Sequence, residues 1–232
     1  MKKLLMMYVV GCMFVLLNTP GVLSQNAPSL DASPERSNAL SLDDILEHVE
    51  KRYATSGFST RFFQTLTLKA MDITDQASGK AYFKRPGMMR WEYEAPDRQI
   101  IVTDSDMLWI YRPEDNQVMT GKSPAFFSGG KGASFLSDMN MIRKKFDITL
   151  QEKIDAGHYV LKLVPKEKTL DVTAIYISIS LETFNIVQIT TYNSYGDETT
   201  IKLKDIQFTS ELDDAMFTFQ IPEGVEVLQL DE

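Results

Sequence analysis

The chain is poor in the residues that carry chemistry. Of its 232 residues, one is a cysteine and two are histidines. Cys12 sits inside the first apolar run, so the remainder has neither disulfide nor thiolate to work with. A domain without disulfides rests on its hydrophobic core, and the residues beyond 24 are numerous enough to bury one. His48 and His158 have no His-Glu-x-x-His or Cys/His spacing around them, which argues against a metal site. No G-x-S-x-G elbow occurs, and no Ser, His and Asp grouping stands out, so a lipid hydrolase has no visible machinery. "SGGKGAS", residues 128–134, lacks the spacing of a phosphate loop and follows no buried strand; it reads as a hinge. Positive charge is also short. Lys and Arg total 24 against 32 Asp and Glu, a net charge of −8. That balance argues against nucleic acid as a partner and against adhesion to anionic membranes.

What is present starts with "MKKLLMMYVVGCMFVLLNTPGVLSQ". Lys2 and Lys3 precede an apolar run from Leu4 to Leu17, broken by Asn18, Pro20 and Gly21, with Ser24 just before Gln25. This is the pattern of a secretory signal peptide over residues 1–24. The run is too short to cross a bilayer comfortably. "VVGC" loosely resembles a lipobox, which would make Cys12 a lipid anchor, but "MFVLLN" continues the apolar region where a polar tether would be needed. Residues 25–40, "QNAPSLDASPERSNAL", are polar, aperiodic and carry two prolines, as in a flexible leader. A single exported domain is expected over 41–232.

Its first element is a helix. Ser41 is a good N-cap, Asp43 and Asp44 favour the first turn, and Leu42, Ile45, Leu46, Val49 and Tyr53 fall on one stripe. After Gly57 the period changes to two. "FSTRFFQTLTLKAM" places Phe62, Leu66, Leu68 and Ala70 on one face. "GKAYFKRP", "MMRWEYE", "QIIVTD", "MLWIYRP" and "QVMTG" follow as short strands separated by turn dipeptides, a meander pattern. Phe135, Leu136, Met139 and Ile142 then recur at helical spacing ahead of Arg143, Lys144 and Lys145. Strands resume at "FDITLQEK", "HYVLKLVPK", "AIYISISL", "FNIVQITTYNS" and "TTIKLKDIQF", and "FTFQIPEGVEVLQL" closes with a turn and a last extended segment. The expected architecture is mainly antiparallel β: an unclosed, half-barrel sheet of about eleven strands, with amphipathic helices burying their stripes on its concave face.

"YFKRPGMMRWEYEAP", residues 82–96, combines a Pro-Gly turn with a strand. Met89, Trp91 and Tyr93 alternate there with Arg90, Glu92 and Glu94. Aromatics beside arginines could stack bases, but the acidic total and the export signal favour a core or cavity lining. The methionines near this segment and near 139–141 suit an adaptable apolar site.

The stretch "FKRPGMMRWEYEAPDRQIIVTDSDMLWIYRPEDNQV" resembles the signature region of the periplasmic outer-membrane lipoprotein carriers, the LolA family. The family runs Lys-Arg-Pro, a turn, a strand carrying Trp, a Pro, and a hairpin. The likeness extends in weaker steps over residues 41–227, including "FSTRFFQT" and Phe217 to Val225. Two details depart from it: Ser105-Asp106 stands where Asp-Gly is usual, and Arg90 precedes Trp91.

The resemblance implies helices that form a lid over an apolar cavity, and no enzymatic activity or cofactor. It implies acylated lipoproteins as cargo, an inner-membrane ABC transporter as donor and an outer-membrane receptor as acceptor, with the carrier a monomer in the periplasm. Arg85, the arginine of Lys-Arg-Pro, is then expected to latch the lid by donating to carbonyls near the helix at 132–143 or near 41–55. Ile45, Val49, Leu66, Leu68, Met89, Trp91 and Tyr93 are the expected cavity residues, and Phe135, Leu136, Met139 and Ile142 the underside of the lid helix. Two other roles would suit the same half-barrel: a lipid-anchored receptor, and a periplasmic sensor that regulates a membrane partner.

Overall fold

Period-two alternation becomes strand wherever one face is buried. The computed structural model describes residues 40–54, 57–123, 135–136, 140–151 and 157–230. The expected signal peptide with Cys12, the leader up to residue 39, the Gly-rich stretch 128–132 and Met139 lie outside the described residues.

Helix α1 (Leu42–Arg52) leads into β1 (Gly57–Leu68), β2 (Ile73–Lys84), β3 (Met88–Ala95), β4 (Gln99–Asp104), β5 (Met107–Arg112) and β6 (Gln117–Lys122). A short helix α2 (Asn140–Lys145) precedes β7 (Phe146–Leu150), β8 (His158–Pro165), β9 (Ala174–Ser180), β10 (Ile186–Tyr192) and β11 (Glu198–Thr209). A 3-10 turn (Asp214–Phe217) and β12 (Glu226–Gln229) finish the chain. All strands belong to one sheet in the order β12-β6-β5-β4-β3-β2-β1-β11-β10-β9-β8-β7. β1 is the junction: it pairs with its successor β2 and with the late strand β11. β12 and β7 are the two edges, so the sheet is open.

The expected unclosed sheet of about eleven strands is found: it has twelve, because the last extended segment pairs with β6, in parallel. One expectation needs correction. Ala70 does not continue the face of Leu66 and Leu68: it falls in a 3-10 turn over Lys69–Met71, and Asp72 takes a left-handed conformation (φ 52°) to start β2. The expected run from Phe135 to Ile142 is described as Phe135–Leu136 in 3-10 conformation and as α2.

One face of the sheet can be followed strand by strand. Leu161, Ile177, Ile189 and Ile201 stand in register across β8, β9, β10 and β11. Thr60, Ala81, Trp91, Ile101, Ile110 and Met119 do the same across β1 to β6. In β11 the register shifts by one residue opposite Ser59–Arg61, where Asp205 is left-handed (φ 53°). This bulge brings Phe208 to the face that already holds Leu203, despite their odd spacing.

α1 has Asp43 and Asp44 in its first turn and Lys51 and Arg52 in its last, the arrangement its dipole favours. It buries Ile45, Leu46 and Val49. Tyr53, just beyond it, seats on the same apolar face against the rings of Phe58 and Phe208, each 5.2 Å away. The opposite face is covered over β2–β5 by the segment 211–220. Lys84 Nζ donates to the Leu212 carbonyl at 2.6 Å and pairs with Asp214 at 2.5 Å. Arg90 donates to the Met216 carbonyl at 3.1 Å, and Phe217 is fully buried. Val102 and Val118 are fully buried on that side as well. Among the described residues no helix is long and apolar enough to cross a membrane.

Candidate functional site

The concave face carries a chain of aromatic contacts. Phe58 stacks on Phe83 at 4.6 Å. Phe83 meets Trp91 edge-on at 5.5 Å, and Phe62 meets Trp91 at 4.9 Å and Tyr93 at 4.8 Å. The β alternation puts Met89, Trp91 and Tyr93 together on this side, with Met89 and Trp91 buried. Gly79 makes the arrangement possible: a Cβ there would lie 2.9 Å from the Phe62 ring and only 1.9 Å from the Glu92 carbonyl oxygen. The Tyr93 hydroxyl donates to Gln64 Oε1 at 3.0 Å. Burial pushes the Tyr93 phenol up to about 12. Tyr53 is raised still further by the same cause, and its oxygen accepts the Ile186 N–H at 2.9 Å.

The structure does not gather all the expected residues at one place. Ile45 and Val49 are buried under α1, and Phe135, Leu136 and Ile142 are buried too. Leu66 and Leu68 share the Phe62 face, but Leu68 pairs with Ile73 at the far tip of the β1–β2 hairpin. At about 3.3 Å per residue it stands roughly 33 Å along the strand from Phe58. Phe58 is the strand residue in contact with Tyr53.

Arg85 lies in the turn between β2 and β3. With Tyr53, Gly57, Phe58, Phe83, Lys84 and Leu136 it lines a narrow cleft that leaves no room even for a water molecule. It makes no hydrogen bond or ion pair to a described residue. The turn is held from the neighbouring hairpin instead: Ser105 Oγ donates to the Pro86 carbonyl at 2.5 Å. Ser105 takes a positive φ (93°), and Asp104 Oδ1 accepts the amides of Asp106 and Met107. This Asx turn explains how Ser-Asp replaces Asp-Gly.

Two contacts at the cover were missed in the sequence. His48 stacks on Phe184 at 4.4 Å, so it is a packing residue. Arg143 on α2 pairs with both Asp43 and Glu50 on α1. The signal for the second was present: Asp43 and Glu50 are seven residues apart, two turns along one helix face.

An open antiparallel sheet with an apolar concave face, covered by short helices, defines the half-barrel class. The model of the family described as outer membrane lipoprotein carrier protein LolA matches residues 54–220, and the chain belongs to that family. It is 28% identical over 174 residues to the outer-membrane lipoprotein carrier protein of Pseudomonas paraeruginosa, covering 72% of this chain and 82% of that one. It is 31% identical over 171 residues to the carrier protein of Nitrosospira multiformis, covering 72% and 79%. Among solved structures, an uncharacterized conserved protein from Thermus thermophilus shares the fold with a TM-score of 0.54 at 14% identity, covering 81% of this chain and 98% of that one.

Proposed function

We propose that the protein is a periplasmic carrier that shields the acyl chains of lipoproteins between its concave sheet face and its helical cover. The observation that supports this reading is the largely apolar and aromatic face made by two registered rows, Leu161 to Ile201 across β8–β11 and Ala81 to Met119 across β2–β6. Each methylene transferred from water contributes about 0.8 kcal/mol, so a short length of acyl chain suffices to displace a modest cover. The cleft beside Arg85 leaves no room even for a water molecule, whereas ligand pockets span roughly 300–1,000 Å³. Cargo is therefore accommodated by moving the helices from the sheet. No reaction step is needed, and the family likeness supports a binding rather than a catalytic role.

In this reading residues 1–24 are removed on export, 25–40 form a leader, and 41–232 act as one monomeric unit. The cargo comes from an inner-membrane ABC transporter and goes to an outer-membrane receptor. Arg85, at the mouth of the cleft beside Leu136, steadies the cover. Arg85→Leu should leave the far-ultraviolet circular dichroism unchanged while lipoprotein stays on the carrier; unimpaired transfer to the receptor would remove Arg85 from the mechanism. The carrier reading is tested by expressing the full chain in a periplasm and weighing the purified protein by native mass spectrometry. Co-purified acylated protein or lipid, released on denaturation, is expected. A bare polypeptide mass together with no uptake of a fluorescent fatty acid would overturn the reading.

A further inference from the structure

Among the described residues, the ion pairs between α1 and α2 are made by one side chain. Arg143 Nε donates to Glu50 Oε1 at 2.5 Å, and its Nη1 donates to Asp43 Oδ1 at 2.9 Å. The Arg143 carbonyl accepts from Lys166 Nζ at 3.1 Å, which ties α2 to the end of β8. Ile45, Leu46 and Val49 of α1 and Ile142 of α2 are buried, so the guanidinium bridges the two helices on their solvent side. The other end of α1 is fixed differently. Tyr53 is buried and bonded to the Ile186 amide. Arg52 donates to Asn185 Oδ1 at 2.9 Å and lies over the Phe208 ring at 4.2 Å.

We propose that acyl chains reach the interior through the seam between α1 and α2, and that Arg143 is the positioning residue that sets how readily this seam opens. The proposal rests on the carrier reading. Its physical ground is the contrast between the two attachments. Arg143 is 40% exposed and Asp43 is 86% exposed, so this clasp is screened by water and salt and is worth little. Burying one or two methylenes of cargo offsets its loss. The Tyr53 end cannot be released so cheaply, because a buried amide would lose its partner. α1 then swings on its C-terminal end while its flank leaves α2.

The test uses the full chain purified after export, a fluorescent fatty acid as probe, and stopped-flow uptake at low and high sodium chloride. Wild-type uptake should quicken with salt. Arg143→Ala should be faster at low salt, by up to about fivefold for an exposed ion-pair network, and should have lost the salt response. A Glu50→Cys/Arg143→Cys double variant joined by a bis-maleimide should take up probe at least tenfold more slowly than its unjoined form. The same linker across Arg61→Cys and Glu94→Cys, on the outer face, should change nothing. Uptake that is indifferent both to the seam linker and to Arg143→Ala would overturn the seam alone. Absence of uptake by every form, wild type included, would overturn the carrier reading and the seam with it.

Discussion

The two faces of the sheet are covered by different means. Over the outer face of β2–β5, the segment 211–220 is anchored from the middle: Phe217 is fully buried, and just before it Lys84 bonds to Leu212 and Asp214 and Arg90 to Met216. Over the inner face, α1 is anchored at its C-terminal end by Tyr53 and along its flank by the exposed Arg143 clasp. A cover anchored by a buried aromatic ring at its centre is part of the core. A cover anchored by a buried group at one end and exposed charges along its side can pivot without unfolding the sheet. The same chain thus makes one cover bonded around a buried ring and one tied along its flank by exposed ion pairs.

Phe217→Ala should have the largest effect on this contrast, a loss of about 3–5 kcal/mol for a fully buried ring, read by urea denaturation. Residual uptake of an acyl probe by the folded fraction should be unchanged; impaired uptake there would mean that the outer cover also serves the site. Alkaline pH should come next. Above about pH 10 the unfolded chain releases the Tyr93 proton, while the folded chain, with that phenol at about 12, retains it. The folded state then binds more protons, so stability falls as pH rises towards 12, by about 1.4 kcal/mol per unit for this group. Denaturant midpoints of wild type and Tyr93→Phe should diverge in that window and run parallel at neutral pH.

Tyr53→Phe strips the Ile186 amide of its partner and should cost roughly 2 kcal/mol. It should also raise acyl uptake if the pivot is real; a stability loss with unaltered uptake would assign Tyr53 to the core alone. The smallest effect should come from the outer-face pairs of Glu94 with Arg61 and Lys80. Those partners hold the Glu94 carboxyl below its usual range. Glu94→Gln should nevertheless leave the melting temperature within error, because the pairs are solvent-exposed.

Much of the concave face was legible before any coordinates. Met89, Trp91 and Tyr93 were expected together from alternation, and Ile45, Leu46 and Val49 from helical spacing, and these groups are found on their shared faces. Leu66 and Leu68 were legible as to face but not as to position, because alternation says nothing about distance along a strand. The family likeness was carried by residues 84–118, whose order of turns and strands is local. It named Arg85 as the latch. Arg143 was noticed only as a basic helix end, although it holds the helix-to-helix contact among the described residues.

The division has a physical basis. By themselves the residues determined α1, most of the strands and their buried sides, through periodicity, turn chemistry and the charges at the ends of α1, since all of these act between near neighbours. Pairings between distant segments were decided by the tertiary structure. Glu50 and Arg143 are 93 residues apart, and Tyr53 and Ile186 are 133 apart. β12 joins β6 in parallel, a contact that no turn between them specifies. Such contacts form only after the sheet has curved and brought the ends of separate elements together. Their strength then depends on how much water the surrounding fold excludes, which is why Tyr53 became an anchor and Arg143 a clasp.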